Sequence, residues 1–265
     1  MLLRYLFIFL LLFPLISLGS DFASEFESRY VNPLVKQTPG GALVIVENGR
    51  VALEKTYGVL EAEGESPVTG NTLFRIASLS KTFASAAASL LVRETALTWQ
   101  TPLRAELSSL RFKSSEYGEK INLWHIMSQS SGLMPHAYTN LIEENMSYAR
   151  IVDRLHRVDF VCPPGRCYGY QNVVFSLVGN LVESQTSLGY PEYVDRKLFG
   201  PLGMQRASFG HESFIRDVDH AKPHVWTGSR WRPIKPTSHY YKVPPAAGVN
   251  ASITDLRQWL LAQLG

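Results

Sequence analysis

The stretch FRIASLSKTFASAAASLLVR, residues 74 to 93, decides how this chain is interpreted. From Ser78 onwards small and apolar residues dominate, and this composition predicts a helix buried on most of its sides. Ser78 and Lys81 stand three residues apart at the start of that helix, so one turn would place both side chains on the same face. The segment therefore combines a buried helix with a serine–lysine pair at its N-terminus.

The serine–lysine pair has a chemical use. A serine hydroxyl is a poor nucleophile until a neighbouring base takes its proton, and burial drives a lysine towards the neutral form that can act as such a base. The free N–H groups of a helix N-terminus would stabilise an oxyanion. The alternative is an N-cap serine followed by a solvated lysine, because Ser-x-x-Lys is a short motif that recurs by chance. The apolar lead-in FRIA favours a functional pair, since a lysine trapped beside a buried helix needs a partner.

A second motif lies in CPPGRCYGYQNVVFSLVGNLVE, residues 162 to 183, where a loop runs into an apolar helix. Tyr170 and Asn172 form a Tyr-x-Asn arrangement at this junction. Judged by residue type alone, Tyr170 would be an aromatic side chain packed under the loop, and Asn172 would be the N-cap of the helix.

Several segments in order resemble one family. FRIASLSK resembles the first motif, and the Tyr-x-Asn segment the second motif, of the serine β-lactamase-related family. This family includes class C β-lactamases, penicillin-binding proteins, D-alanyl-D-alanine carboxypeptidases and β-lactamase-fold esterases. LWHIMSQSSGL at 123–133 and FGPLGM at 199–204 are similar to further shared segments, and the match runs from about Ala42 to the end of the chain.

The resemblance implies a role for each motif residue. Ser78 would be the acylated nucleophile and Lys81 its proton partner, with Tyr170 as a base or acid and Asn172 orienting the substrate amide. It implies an α/β fold of the β-lactamase/transpeptidase type, in which helices flank an antiparallel sheet. A mainly helical subdomain would extend from about residue 80 to 200, with the active site between the two parts. The reaction is acyl transfer through a serine ester on a β-lactam, a D-Ala-D-Ala peptide or an ester, without a metal or organic cofactor.

The chain departs from the family pattern near its C-terminus. The third motif, Lys-Thr-Gly or His-x-Gly, does not occur, and Trp226-Thr227-Gly228 has a tryptophan where a cation is required and lies in a predicted hairpin region. PPAAGVNASITDLRQWL at 244–260 resembles a segment well ahead of that motif. We therefore expect the last strands of the fold to be missing and the active site to be incomplete. A catalytically impaired or non-catalytic penicillin- or peptidoglycan-binding relative is the alternative function.

Other patterns predict local structure. ALVIVE, the turn dipeptide Asn48-Gly49 and RVALEKTYG predict a β-hairpin that opens the sheet. Apolar side chains that recur every fourth residue before it predict a surface helix packed on this sheet; they are Phe22, Phe26, Tyr30 and Leu34. Near the end of the chain, Ser252 and Asp255 form a capping pattern ahead of an amphipathic helix.

The first residues, MLLRYLFIFLLLFPLISLGS, place Arg4 ahead of a short apolar stretch, which is typical of a secretory signal peptide. We expect residues 1–19 to be cleaved and residues 20–265 to form one domain in the periplasm or outside the cell; a retained membrane anchor is the alternative. In an oxidising compartment Cys162 and Cys167 would form a local disulfide, with two unpaired buried thiols as the alternative. Two cysteines without clustered histidines do not make a metal site.

Composition limits the partners. Twenty-six Lys and Arg against 23 Asp and Glu give a net charge of +3, without the basic runs that bind nucleic acid. We expect a small-molecule, peptide or ester substrate, no nucleic acid, no stable membrane partner, and a monomer for the full-length protein. His125 is predicted to be a buried, hydrogen-bonded residue and not a catalytic base.

Overall fold

The computed structural model describes residues 22–264, so the predicted signal peptide lies outside the described residues. No helix in this part of the chain combines the length and the apolarity needed to cross a bilayer. The α-helices are α1 Phe22–Phe26, α2 Asn32–Val35, α3 Ser80–Glu94, α4 Leu103–Glu106, α5 Ser115–Gly118, α6 Leu123–Met127, α7 Thr139–Glu143, α8 Tyr148–Val152, α9 Asn172–Phe175, α10 Leu177–Thr186, α11 Tyr190–Val194, α12 Gly200–Leu202, α13 His211–Arg216, α14 Pro244–Ala247 and α15 Ile253–Leu264.

The strands form three small antiparallel sheets within the described residues. They are β1 Gly40–Glu47, β2 Arg50–Gly58, β3 Phe74–Arg75, β4 Ser208–Phe209, β5 His224–Trp226, β6 Trp231–Pro233 and β7 Val249–Ala251. β1 pairs with β2, β5 pairs with β6, and β7 lies between β3 and β4. The predicted hairpin is therefore present as β1 and β2. Its turn residues Asn48 and Gly49 have φ angles of 50° and 70°, the left-handed conformation that this dipeptide tolerates.

The N-terminal helical segment packs on β2 through a different face from the one predicted. Phe22, Tyr30 and Leu34 are each more than half exposed, and Ala23 and Glu27 are the buried residues instead. The Glu27 carboxylate accepts hydrogen bonds from Lys55 Nζ at 2.6 Å and from the Tyr57 hydroxyl at 3.0 Å. The predicted face was wrong because a charged residue faces the sheet, where it finds its partners on β2.

The core lies among the helices between residues 80 and 200, as the predicted helical subdomain requires. α3 is central: Phe83, Ala84, Ala87, Ala88 and Leu91 are fully buried along one face. Phe83 contacts the ring of Phe199 and, from the C-terminal helix, the ring of Trp259. Burial of such side chains supplies about 1.5–3 kcal/mol each for the larger ones. α3 is therefore a rigid support for any residue at its N-terminus.

The predicted cap of α15 is present. The Asp255 carboxylate accepts hydrogen bonds from the backbone N–H of Ser252 at 2.9 Å and from the Ser252 hydroxyl at 2.8 Å, while Ser252 Oγ accepts from the Asp255 N–H. The same carboxylate accepts the Arg206 N–H at 3.1 Å. Because Ser252 follows β7 directly, this cap fixes the end of the strand that lies next to the nucleophile segment.

Candidate active site

Ser78 lies on a single 3₁₀ turn, Ala77–Leu79, between β3 and α3. The α-helix itself begins two residues later than the sequence predicts, at Ser80. Ala77 has a φ of 47°, a left-handed conformation that costs a non-glycine residue about 1–2 kcal/mol. Such strain persists only where the surroundings enforce it, and here it lies next to Ser78, which is exposed.

β7 holds this turn from both sides. The Ile76 N–H donates to the Val249 carbonyl at 3.2 Å, and the Val249 N–H donates to the Ser80 hydroxyl at 3.0 Å. Ser80 is fully buried. Ser78 is therefore bracketed by two hydrogen bonds to one strand residue, which fixes the position of the nucleophile turn.

The structure brings all four predicted motif residues together. Ser78 Oγ lies 2.8 Å from the Tyr170 hydroxyl. Lys81 Nζ lies 2.7 Å from the Tyr170 hydroxyl, 2.8 Å from Asn172 Oδ1 and 3.4 Å from Ser78 Oγ. The Ala246 carbonyl of α14 completes the set at 2.9 Å from Lys81 Nζ. Helices α3, α9 and α14 thus meet at one lysine nitrogen.

The three short contacts of Lys81 Nζ satisfy either protonation state. An ammonium has three protons for three acceptors. A neutral amine has two protons for Asn172 Oδ1 and the Ala246 carbonyl, and its lone pair can accept the Tyr170 hydroxyl proton. Burial lowers the pKa of Lys81, and the hydrogen bond and charge of Tyr170 partly oppose this shift. The neutral amine is therefore more accessible than for a solvated lysine.

Asn172 does not cap the helix that it begins. Gln171 occupies the N-cap position of α9, and Asn172 is the first helical residue, with its side-chain oxygen directed at Lys81. No acceptor within residues 22–264 bonds its amide nitrogen. An unused donor therefore lies beside Lys81, in a residue that is 8% exposed.

The loop that carries Tyr170 contains the disulfide between Cys162 and Cys167. The Gly165 N–H donates to the Ser130 carbonyl, and the Val161 N–H donates to the Gly132 carbonyl, both at 2.8 Å. The disulfide loop therefore packs on the segment that follows α6. Its second cysteine, Cys167, is three residues before Tyr170 in the sequence.

The site is open to solvent. Ser78 is exposed, and its neighbour Leu79 and the loop residue Tyr168 are 57% and 71% exposed. None of the principal cavities in the described part of the chain is lined by Ser78, Lys81 or Tyr170. A substrate would approach over an open face, with the Ser78 N–H at the start of the 3₁₀ turn as one oxyanion donor.

Two contacts of the site residues could not be predicted from the sequence. The Ala246 carbonyl binds Lys81 through its backbone, so no side-chain signal could have identified it. The His136 ring lies 5.5 Å from the Tyr170 ring at a tilt of 37°, and the backbone N–H of His136 donates to the Tyr170 carbonyl at 2.8 Å. A histidine at this distance along the chain carries no motif that would place it beside Tyr170.

The remaining candidates lie elsewhere. His125 Nδ1 accepts the Asn122 N–H at 3.3 Å in a capping box at the start of α6, and burial lowers its pKa. The predicted hydrogen-bonded role is present, but the side chain is only partly buried and not fully buried as predicted. Trp226-Thr227-Gly228 lies at the β5–β6 turn. Across residues 22–264, no cluster of three or more His, Cys, Asp or Glu side chains could hold a metal ion.

The family model named Beta-lactamase matches residues 28–265 of this chain. The chain belongs to the Beta-lactamase family. The predicted family is therefore confirmed, and so is the β-lactamase/transpeptidase-like fold of helices and antiparallel strands.

Three relatives show how far the likeness extends. Protein flp of Staphylococcus aureus (strain NCTC 8325 / PS 47) is 26% identical over 229 residues, which cover 85% of this chain and 45% of that protein. A D-aminopeptidase of Gluconobacter oxydans (strain 621H) is 24% identical over 232 residues, covering 83% of this chain and 41% of that protein. The structure of the octameric penicillin-binding protein homologue from Pyrococcus abyssi matches with a TM-score of 0.73 and 26% identity, over 90% of this chain and 55% of that one. The chain thus spans less than half the length of Protein flp and of the D-aminopeptidase.

Proposed function

We propose that this β-lactamase family member is a serine hydrolase that forms an acyl-enzyme on Ser78. The observation that carries the proposal is the continuous contact from Ser78 Oγ to the Tyr170 hydroxyl at 2.8 Å and onward to Lys81 Nζ at 2.7 Å. An exposed serine bonded to a group that is itself bonded to a partly buried amine is the arrangement that activates a hydroxyl nucleophile.

The proposed acylation step is a proton relay. Ser78 Oγ attacks the substrate carbonyl carbon and passes its proton to the Tyr170 oxygen, while the Tyr170 proton passes to the neutral Lys81 amine. When the tetrahedral intermediate collapses, the bond to the leaving group breaks and the relay returns one proton to the leaving atom. Water then attacks the serine ester by the same route, which releases the acid and restores Ser78.

The proposed substrates are β-lactams, D-Ala-D-Ala peptides or esters, because each offers a carbonyl and a leaving group to this chemistry. Similarity to a D-aminopeptidase and to a penicillin-binding protein homologue supports peptides that contain D-amino acids among these. The Asn172 amide nitrogen could bind the carbonyl that such peptides and β-lactam side chains share. The open face at Ser78 places few steric limits on the acyl group.

A panel of substrates tests this function. The protein is assayed with nitrocefin, a peptide ending in D-Ala-D-Ala, D-alanine p-nitroanilide and a p-nitrophenyl ester. We expect turnover of at least one, its loss in Ser78→Ala, and its retention in Ser85→Ala, which removes an exposed hydroxyl from the next part of α3. Reversible penicillin binding that survives Ser78→Ala, without turnover, would establish the non-catalytic alternative. Turnover that persists in Ser78→Ala would overturn the assignment.

We also propose that the protein is exported to the periplasm or beyond the cell. The apolar leader supports this proposal, as does the Cys162–Cys167 disulfide, because such bonds persist in oxidising compartments. The mass of the exported protein should lack residues 1–19 and show no thiol that reacts before reduction. A retained leader, or two reactive thiols, would contradict it.

A further inference from the structure

Gln129 contacts the main chain on both sides of Tyr170. Its backbone carbonyl accepts the Gly169 N–H at 2.8 Å, and its side-chain Oε1 accepts the Gln171 N–H at 2.8 Å. The residue is 8% exposed, and its φ of 57° lies in the left-handed region. A glutamine in this rarely adopted conformation directs both of its oxygens to one tripeptide.

The other polar groups of the tripeptide 169–171 bond residues that follow Gln129 in the chain. The Tyr170 carbonyl accepts the His136 N–H at 2.8 Å, and Gln171 Nε2 donates to the Met134 carbonyl at 3.0 Å. The main chain around Tyr170 is thus held on the segment after α6, while the phenol points across to Ser78 and Lys81. The tolerance at the phenol oxygen is small, because it must lie within bonding distance of two atoms at once.

The side-chain oxygen of Gln129 is the part of the residue that carries this contact. Its Nε2 is buried and has no hydrogen-bond partner within the described chain. Within the described chain the Gln129 side chain therefore makes its hydrogen bond through Oε1 alone. A residue that keeps the oxygen and loses the nitrogen should therefore preserve the contact.

We propose that Gln129 is a positioning residue that fixes the main chain on both sides of Tyr170, so that the phenol oxygen stays in contact with Ser78 Oγ and Lys81 Nζ together. The proposal rests on the proposed function, in which Tyr170 relays the Ser78 proton. Without Oε1 the Gln171 N–H loses its acceptor, and the segment 169–171 relaxes away from the loop. A displacement of the order of 1 Å at a relay group can cost about 10²-fold in rate.

Three variants separate positioning from folding. Gln129→Met keeps the length and removes the acceptor, Gln129→Glu keeps an acceptor oxygen, and Gln185→Met removes a glutamine that bonds Glu106 away from the site. The readout is the rate at which a fluorophosphonate labels Ser78, measured across pH. We expect Gln129→Met to slow labelling roughly tenfold to hundredfold. Gln129→Glu should keep most of the wild-type rate, and Gln185→Met should keep all of it.

A double-variant cycle with Tyr170→Phe tests the route of action. If Gln129 acts through Tyr170, Gln129→Met should slow labelling strongly in the wild type and little further in Tyr170→Phe, because coupled residues are not additive. The pH at half-maximal rate should move in the same direction in both single variants. Equal slowing in both backgrounds, or no slowing in the wild type, would overturn the proposal.

Two further measurements keep the result decisive. If Gln129→Met does not fold, Gln129→Glu provides the test. A Gln129→Glu protein that melts like the wild type but is labelled slowly at Ser78 would overturn the proposal. Amide hydrogen exchange at Gly169 and Gln171 does not depend on catalysis, and it should accelerate in Gln129→Met but not in Gln185→Met. If Ser78 of the wild type reacts with no probe, the proposed function is wrong. If hydrogen exchange at both amides is unchanged in Gln129→Met, the positioning role is wrong.

Discussion

Lys81 Nζ lies 2.7 Å from the Tyr170 hydroxyl but 3.4 Å from Ser78 Oγ, while the Tyr170 hydroxyl is 2.8 Å from Ser78 Oγ. Hydrogen bonds weaken with distance, and the 3.4 Å between Lys81 Nζ and Ser78 Oγ is near the limit of the interaction, so Tyr170 is better placed than Lys81 to take the serine proton. This ordering of distances is the basis of the relay, and it separates the roles of the two residues.

Loss of either relay residue should greatly reduce turnover. We expect Lys81→Ala and Tyr170→Phe each to lower kcat by at least about a hundredfold, the usual contribution of general acid–base groups. Asn172→Ala should cost less, because it removes one of three contacts to Lys81 and no proton acceptor of Ser78. Steady-state kinetics on the substrate found in the panel provides the measurement. Full activity in Tyr170→Phe with none in Lys81→Ala would mean that lysine acts alone.

The pH dependence of Ser78 labelling should report Lys81. Because burial lowers the pKa of Lys81 below its usual 10.5, the rate should rise with pH and reach half its maximum below that value. Tyr170 raises the pKa of Lys81 through its hydrogen bond and charge, so Tyr170→Phe should move the midpoint further down while lowering the maximal rate. A midpoint that moves up in Tyr170→Phe would show that this coupling has the wrong sign.

The left-handed Ala77 should tolerate glycine and not valine. Because the Ala77 side chain is exposed, a larger side chain has space, and a substitution changes stability through the backbone conformation. A β-branched residue at positive φ is a steric outlier, and we expect Ala77→Val to cost about 1–3 kcal/mol in stability and to slow Ser78 labelling. Ala77→Gly should melt and react like the wild type. Equal melting temperatures and labelling rates for the two variants would refute the strain argument.

Asp255 should be a large contributor to the stability of the C-terminal helix. Asp255→Ala leaves the buried N–H of Ser252 and the partly buried N–H of Arg206 without acceptors, which costs about 1–3 kcal/mol. Thermal unfolding followed by circular dichroism should show a melting temperature lower by several degrees. Asp195→Ala removes an exposed carboxylate and should leave it unchanged. A similar loss in both variants would argue against a specific cap.

The Glu27–Lys55 contact should stabilise the protein only where Glu27 is ionised. The hydrogen bond from Lys55 lowers the pKa of Glu27 below 4.5, against the opposing effect of burial. Its contribution to stability is therefore complete above the unfolded-state pKa and is lost as the pH falls through the lower folded-state value. Glu27→Gln should lower the melting temperature at pH 7, with a difference that shrinks in acid. Glu25→Gln, from an exposed pair with Arg29, should change little at either pH.

Local patterns and motifs were enough to predict much of the fold. The Asn48-Gly49 turn, the buried helix after Ser78 and the Ser252–Asp255 cap are each determined by neighbours in the sequence, and each is present. The face of the N-terminal helix was predicted wrongly, because hydrophobic spacing cannot reveal that Glu27 finds Lys55 and Tyr57 on another element. The middle of this segment, Glu27–Val31, is also a π-helical turn, so a spacing read for a regular α-helix does not mark one face throughout.

In the site, too, local motifs could be predicted and contacts between distant segments could not. Ser78, Lys81, Tyr170 and Asn172 stand in recognisable motifs, and the structure brings them within hydrogen-bond distance of one another. The Ala246 carbonyl could not be predicted, since any residue type supplies a carbonyl. Gln129 carries no signal either, because its function depends on a left-handed backbone and on a contact 42 residues away.

Covalent labelling tests most directly whether Ser78 is the nucleophile. The protein is incubated with a fluorescent penicillin and, separately, with a fluorophosphonate, and the adduct is located by intact-mass and peptide mass spectrometry. We expect one adduct per chain on Ser78 with at least one of the probes, no adduct in Ser78→Ala, and a much slower reaction in Tyr170→Phe. Labelling at another residue, undiminished labelling in Ser78→Ala, or no adduct with either probe would contradict it.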